Sequence, residues 1–581
     1  MKRIAWVLLP YAVFSVLLLL SWNRWIEPYV DSGRELMVPW RISQGERLYR
    51  DVHFHHGPLA VYLSAGIDRV TGRSLGARIG LAAALALLHL ETLRRLSRRL
   101  LNPGEAALAT ALAVAVAFFL RPGGWMFPFS FDTAIAVAAL TGALLFSQAK
   151  TRRGDTWVAA ALTAALLSRV ELGLAGLAAM VWEARGERSR WPTIAGAPLA
   201  FAGAGYGLLS AGVSLDRLIR DGWLRVVKPP EAFQNVYRTY AGLDEPALRL
   251  AEMGLAVIAV FIVIAGLAAG SAAAARSGLR GGVLVQAFTL ALLAAVAALS
   301  LLPPDSLVPT LRLLPPLIRI VPPLILGAFF WRLISAWKQR PHSLSAISDA
   351  IWLVAILFSG RLLLAAGYVG PYDAFFLPLP ITLAAAMALR TSQAATRALG
   401  PALPALTAGA LTIFLLFRLA AQGAGFRGPE WAPPVATPAG RVVLREPVAA
   451  ATRLALAELA RVVPEDGRMV GFPEGGFFNY VLGRKSVTPF EQFFPGHADT
   501  AEDERRIIQQ LDSSPPNAVF LCDVLAVGEH HPAFGRDYLI ALDRFVRERF
   551  VAVASFGPGA GLDARIGDPQ FFVTIRVPAA R

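Results

Sequence analysis

Long, nearly unbroken apolar blocks constrain this chain more than any other feature. Residues 6–20, 80–90, 106–120 and 251–270 run almost without charge. Crossing a bilayer takes about 20 mostly apolar residues, and blocks of this kind recur along the first 420 positions. Composition agrees. Of 581 residues, 55% are apolar and 17% charged, where a soluble protein carries about 25% charged residues.

About 13 spans are predicted, at 4–22, 76–93, 106–120, 132–149, 156–168, 170–184, 192–211, 246–269, 282–302, 317–335, 348–366, 375–390 and 402–420. The net charge of +15 would suggest nucleic acid in a soluble chain. Here the arginines gather in short loops between apolar blocks, as in Arg94, Arg95, Arg98 and Arg99, or Arg152 and Arg153. Such loops stay in the cytoplasm and set orientation, so no nucleic-acid partner is expected. The alternate loops (23–75, 121–131, 212–245, 303–316 and 367–374) are rich in Trp, Tyr, Pro and acidic residues and fall outside.

Lys2 and Arg3 precede the first block, no small-x-small cleavage site follows it, and Trp22 and Trp25 read as interfacial anchors. This predicts a retained first helix with a cytoplasmic N-terminus. An odd number of spans then puts the tail outside. Residues 423–440 form a Gly/Pro-rich linker, and 441–581 change to a soluble α/β pattern, with strands at 468–472, 518–522, 551–555 and 571–577 and helices at 501–511 and 538–550. The single cysteine, Cys522, excludes an intrachain disulfide and reads as a small core residue. The expected fold is mostly α: a polytopic transmembrane domain over 1–422 with a small extracytoplasmic α/β domain, in the plasma membrane. The α/β domain carries no phosphate loop, zinc-ligand spacing or nucleophile elbow, which leaves it a scaffold or acceptor-binding role.

The first outer loop is the most informative segment. Leu36, Met37 and Trp40 share one helical face, which suits a helix in the membrane interface with Trp40 at headgroup level. Asp31 precedes that helix. Tyr49-Arg50-Asp51, then His53, His55 and His56, then Gly57-Pro58-Leu59 follow it.

This stretch resembles the C-type membrane glycosyltransferases, most closely the protein mannosyltransferase and aminoarabinose transferase branch. That group carries an acidic residue on an interfacial helix after the first span, matched here by Asp31 with Glu35. A Tyr-Arg-Asp and a Gly-Pro segment follow, matched by Tyr49-Arg50-Asp51 and Gly57-Pro58-Leu59. The usual Asp-Glu doublet is Asp31-Ser32 here. The likeness covers roughly residues 1–420. It implies transfer of a sugar from a polyprenyl-phosphate carrier to a glycan, lipid or protein acceptor on the outer face. Some members need a divalent metal and others do not, so no cofactor is assigned and a metal is left open.

The chemistry such a reaction needs selects candidates. A hydroxyl is a poor nucleophile until a carboxylate in hydrogen-bond reach takes its proton. The candidates are Asp31, with Glu35 and with Asp132 as a second acidic residue facing the same cavity. The leaving group is a lipid phosphate, which cations and hydrogen-bond donors stabilise. Arg50, Arg169, Arg361, His55, His56 and Tyr372 are the candidates for that task. Each has a plainer alternative. Asp31 can cap its helix, with Ser32 to Glu35 as a capping box, and Asp132 can cap the fourth span. Arg169 and Glu171 can form a tight outer turn, and Arg361 can snorkel. The histidines offer His53 and His55 on one strand face, but no adjacent carboxylate spacing completes a metal site. A transporter or lipid flippase is the main alternative function; it would favour internal repeats and midplane polar residues, and neither is evident. A non-catalytic scaffold for polysaccharide assembly is the third.

Overall fold

The computed structural model describes residues 2–29, 31–120, 124–210, 212–219, 241–276, 318–337, 347–366, 372–494, 500–522, 533–558 and 571–579, with a few single positions besides. The helices of the first part are α1 (Lys2–Ser21), α2 (Ser32–Ser43), α3 (Leu59–Thr71), α4 (Leu75–Ser97), α5 (Pro103–Ala113), α6 (Phe131–Ser147), α7 (Arg152–Leu166) and α8 (Val170–Glu183). Local chemistry sets their starts. Ser74, Ser130 and Thr151 accept from backbone N–H groups in the first turns of α4, α6 and α7, and Asn102 and Glu105 cap α5 reciprocally behind Pro103. A π turn, Val114–Phe118, extends α5 to the end of its apolar block.

Among the described residues, three helices are long and apolar enough to cross a membrane, Leu75–Ser97, Pro246–Ala273 and Leu403–Arg427. Trp6–Ser21, Pro103–Phe118, Phe131–Ser147 and Val321–Trp337 are apolar but shorter. A helix of about 16 residues reaches only about 24 Å, less than the hydrocarbon thickness of about 30 Å. Length and composition of these helices alone therefore do not establish the expected count of about 13. The ninth span, 282–302, and the outer loop 303–316 lie outside the described residues. The last helix continues through Gly423 and Gly425 to Arg427, and the first strand begins at Val435, so the intervening connection is shorter than the linker read from composition.

The C-terminal part opens with a small hairpin, β1 (Val435–Thr437) and β2 (Gly440–Val442), followed by a helix, Val448–Val462. Its main sheet has β3 (Met469–Phe472), β4 (Ala518–Cys522), β5 (Phe550–Phe556) and β6 (Val573–Pro578) in the order β3-β4-β6-β5. β3 and β4 are parallel, and β6 is antiparallel to both of its neighbours. β4 is buried at every position, as expected of an apolar run packed on both faces. Cys522 is one of its core residues.

This part is joined closely to the first outer loop. A continuous apolar core runs from Phe14, Trp25 and Met37 to Phe477, Phe478 and Phe520. α2 meets the helix Gly476–Leu482 at two glycines: a Cβ on Gly33 would stand 2.7 Å from Phe477 N, and one on Gly476 2.8 Å from Gly33 O. Ion pairs line the same seam. Arg41 reaches Glu491 at 2.7 Å and the Thr488 carbonyl at 2.7 Å, and the Tyr480 hydroxyl donates to Asp68, itself paired with Arg78 at 3.0 Å.

The interfacial placement of α2 needs correction. Ser32 to Ile42 are all buried, enclosed by neighbouring helices and the C-terminal part. Trp40 is covered by Tyr480, ring centroids 6.4 Å apart, and by the Arg73 guanidinium, so it is no headgroup anchor. Trp25 is likewise buried, between Phe119 and Phe426. The apolar face of α2 is satisfied by protein instead of lipid. Trp22 stays exposed.

Candidate functional site

The chain enters the site through a strained residue. Asp31 has φ 44° and ψ −41°, a conformation that costs a non-glycine residue of order 1–3 kcal/mol. It stands at the N-cap position of α2, yet its side chain makes no cap hydrogen bond. The capping box expected from Ser32 and Glu35 is absent as well: Ser32 Oγ accepts from the Glu27 N–H, and Glu35 is engaged elsewhere. Capping is thus not what holds Asp31.

Its partners come from far along the chain. The Asp31 N–H donates to Glu474 Oε2 at 2.6 Å. Gln492 Nε2 donates to Asp31 Oδ1 at 3.0 Å and to Glu474 Oε1 at 2.9 Å, bridging the two carboxyls. Arg34, one turn along α2, lies 3.4 Å from Asp31 Oδ1 and 2.9 Å from Glu35 Oε1. It also donates to Gln492 Oε1 at 2.8 Å and to the Phe129 carbonyl at 2.6 Å. A guanidinium with five donors can join several acceptors in this way, whereas an ammonium has three. Burial, opposed by Arg34, pushes the Glu35 carboxyl up to about 7. Burial and the Asp31 carboxylate push Glu474 well above the usual carboxylate range.

The second half of the site lies on α6 and the α7–α8 turn. Ser130, not Asp132, caps α6, and its hydroxyl donates to Asp132 Oδ1 at 2.7 Å. The capping alternative for Asp132 therefore falls away. Asp132 is fully buried, with Oδ2 3.4 Å from Arg169 Nη1 and 3.6 Å from His56 Nδ1. Arg169 also pairs with Glu171 at 2.9 Å and donates to His56 at 2.6 Å. The two halves meet where the Phe131 N–H, at the start of α6, donates to Glu35 Oε2 at 3.3 Å.

The Tyr-Arg-Asp and Gly-Pro motifs turn out to be the hardware that brings the histidines here. Tyr49, at φ 65°, closes a tight turn onto Val52, and its hydroxyl donates to the His56 carbonyl at 2.5 Å. The Gly57 and Leu59 N–H groups donate to the Ser168 and Leu167 carbonyls, each at 3.0 Å, and a Cβ on Gly57 would overlap the Leu167 carbonyl. His56 is thereby docked beside Arg169, with the His55 ring 3.9 Å from it. Arg50 does not join the cluster. It is 45% exposed and pairs with its neighbour Asp51 at 2.8 Å. His53 turns to the Phe490 ring, 4.9 Å away.

Tyr372 carries the site toward the last helices. Its ring meets Phe129 at 5.2 Å, and the Arg361 guanidinium stacks over it at 4.8 Å. Arg361 is exposed. Of the predicted residues, Asp31, Glu35, Asp132, His55, His56, Arg169, Tyr372 and Arg361 are thus linked through successive contacts, and Arg50 is not. Sequence reasoning missed Glu474 and Gln492, and named Arg34 only as an arginine near Asp31. The available signal was an acidic residue in Pro473-Glu474-Gly475-Gly476, directly after a strand.

Among the described residues, no group of three or more His, Cys, Asp or Glu side chains is arranged to hold a metal ion. Asp31, Glu35 and Asp132 are each faced by a guanidinium. A separate cleft of about 410 Å³, lined in part by Glu183, Arg185, Arg332 and Asp349, shares no residue with this cluster. Its arginines are matched by Asp349 at 3.0 and 2.6 Å.

No family model and no curated protein matches the chain. Among solved structures, it is similar to ArnT from Cupriavidus metallidurans bound to undecaprenyl phosphate, at 14% identity and a TM-score of 0.45, covering 98% of this chain and 97% of that one. It is also similar to the archaeal oligosaccharyltransferase AglB from Archaeoglobus fulgidus in complex with an inhibitory peptide and a dolichol-phosphate. There the identity is 14% and the TM-score 0.47, with 100% of this chain and 76% of that one covered. Likenesses of this size carry no statement about the chemistry of the chain.

Proposed function

We propose that the chain transfers a sugar from a polyprenyl-phosphate-linked donor to an acceptor on the non-cytoplasmic face of a membrane, with Asp31 as general base. One observation carries this reading. Carboxylates and guanidiniums more than a hundred residues apart in sequence converge on one cluster, and of Asp31, Glu35 and Asp132 it is Asp31 that keeps an open side. Its side chain is 28% exposed, against 5% for Glu35 and 0% for Asp132. An acceptor hydroxyl or amine can reach Asp31 and lose its proton there as it attacks the sugar. Glu35 and Asp132 are too enclosed for that task. They hold Arg34 and Arg169 in place. As the sugar–phosphate bond breaks, the lipid phosphate gains charge. Arg169 and His56, with Arg361 and Tyr372 farther along, supply cations and hydrogen-bond donors for it.

Asp31→Asn tests the assignment. Asparagine occupies the same volume and cannot take a proton. The variant should express normally and still bind polyprenyl phosphate, while transfer falls by about 10²–10⁴-fold. Transfer near the wild-type rate would remove Asp31 as the base.

A further inference from the structure

We propose that Glu474 is a positioning residue for Asp31, so that the C-terminal α/β part is a working portion of the catalytic site. The proposal rests on the reading of Asp31 as the base. Three observations carry it. First, Asp31 sits at φ 44°, a conformation that persists only where surrounding contacts impose it. Second, the contact on its own N–H comes from Glu474, at 2.6 Å. Third, Gln492 ties the two carboxyls together, donating to both.

The C-terminal part is shaped to deliver Glu474 to that place. β3 ends at Phe472, and the next turn has no room for side chains. A Cβ on Gly475 would stand 2.8 Å from Gly471 Cα and overlap the Phe520 ring, and one on Gly476 would meet α2. The Phe493 N–H donates to the Pro473 carbonyl at 2.9 Å, which fixes the Gln492 segment beside the Glu474 turn. Glu474 is 3% exposed, so it meets no substrate itself. It acts through Asp31. A glutamine has the same length and keeps one carbonyl oxygen to accept from the Asp31 N–H.

The test uses the full-length chain in nanodiscs. Donor binding is read with 55-carbon polyprenyl monophosphate, and turnover as release of that lipid from a panel of polyprenyl-phosphate hexoses and pentoses. Glu474→Ala should cut turnover about 10²-fold, the scale of a misplaced catalytic group, with polyprenyl-phosphate affinity within about twofold of wild type. Glu474→Gln keeps an acceptor for the Asp31 N–H and should recover to within about tenfold of wild type. Gln492→Ala should lose about tenfold with unchanged affinity. In the Asp31→Asn background, Glu474→Ala should cost nothing further, because the two residues act as a unit. Wild-type turnover in Glu474→Ala, no recovery in Glu474→Gln, or an additive loss in the double variant each overturns the proposal. Should Glu474→Ala fail to fold, Glu474→Gln and Gln492→Ala decide it, and wild-type turnover in Gln492→Ala counts against it. Failure of the base reading shows separately, as an active Asp31→Asn variant before Glu474 is touched.

Discussion

Arg169 illustrates how one side chain is committed at both ends. Its Nε pairs with Glu171, and its Nη1 lies against both His56 and Asp132. A lysine has no planar fork and can hold only part of that arrangement. Arg169→Lys should therefore raise the donor concentration needed for half-maximal transfer by about tenfold or more. Arg361→Lys should have a smaller effect, since Arg361 is exposed and stacked on Tyr372. Donor titrations on both variants check this, and equal, unchanged values would remove the arginines from the phosphate. Arg34 is different because it is 93% covered and neutralises two carboxylates. Arg34→Met should destabilise the chain by about 3–5 kcal/mol, the cost of stranding a buried charge, visible as a lower unfolding temperature. Asp31 and Asp132 were legible in the sequence because each stands at the edge of an apolar block. The distant acceptors of Arg34, Gln492 and the Phe129 carbonyl, were not, since nothing in the sequence marks them until the chain folds around it.

The elements meet through small contacts that a sequence pattern does not record. Gly33 and Gly476 let α2 and the helix Gly476–Leu482 touch backbone to backbone. Gly476→Ala should push them apart, costing about 1–3 kcal/mol as overpacking and lowering turnover by shifting Glu474. Thermal unfolding and turnover measured on one preparation check both effects. The same seam sets a pH dependence. Burial pushes Glu491 up to about 7 from an ordinary 4.5, against the pull of Arg41. An acid that binds its proton more tightly when folded stabilises the fold fully below about 4.5, and that contribution is lost as pH rises through about 7. Unfolding temperature should fall across this window in wild type and fall less steeply in Glu491→Gln; parallel curves would exclude Glu491 as the source. Helices α4, α5 and α6 were readable from block length, and β3 to β6 from short apolar runs. The hairpin β1–β2 was not, because three-residue strands carry too little alternation to register. The burial of α2 was misread as membrane contact because an apolar helical face looks the same whether lipid or protein covers it.

At the scale of the whole molecule, α2 and the C-terminal part touch, so they occupy the same side of any membrane. We propose, from the charge alternation, that this side is the non-cytoplasmic one. Gln44 and Lys485 are exposed. Cysteines at these positions, in a Cys522→Ser chain, should both react with a membrane-impermeant thiol reagent on intact cells. Labelling of neither, with labelling restored on lysis, would invert the orientation. The change from long helices to short strands near residue 430 was legible from the hydropathy pattern. The contact of Glu474 and Gln492 with Asp31 was not, because they belong to no motif and gain meaning only beside it. The bond between Asp31 and Glu474 spans 443 positions, and this separation imposes an order on biosynthesis. The strained loop leaves the ribosome early and must wait, incomplete, until the C-terminal part has been made. On the role proposed for Glu474, competence comes last, and a copy stalled or clipped ahead of that part stays inactive.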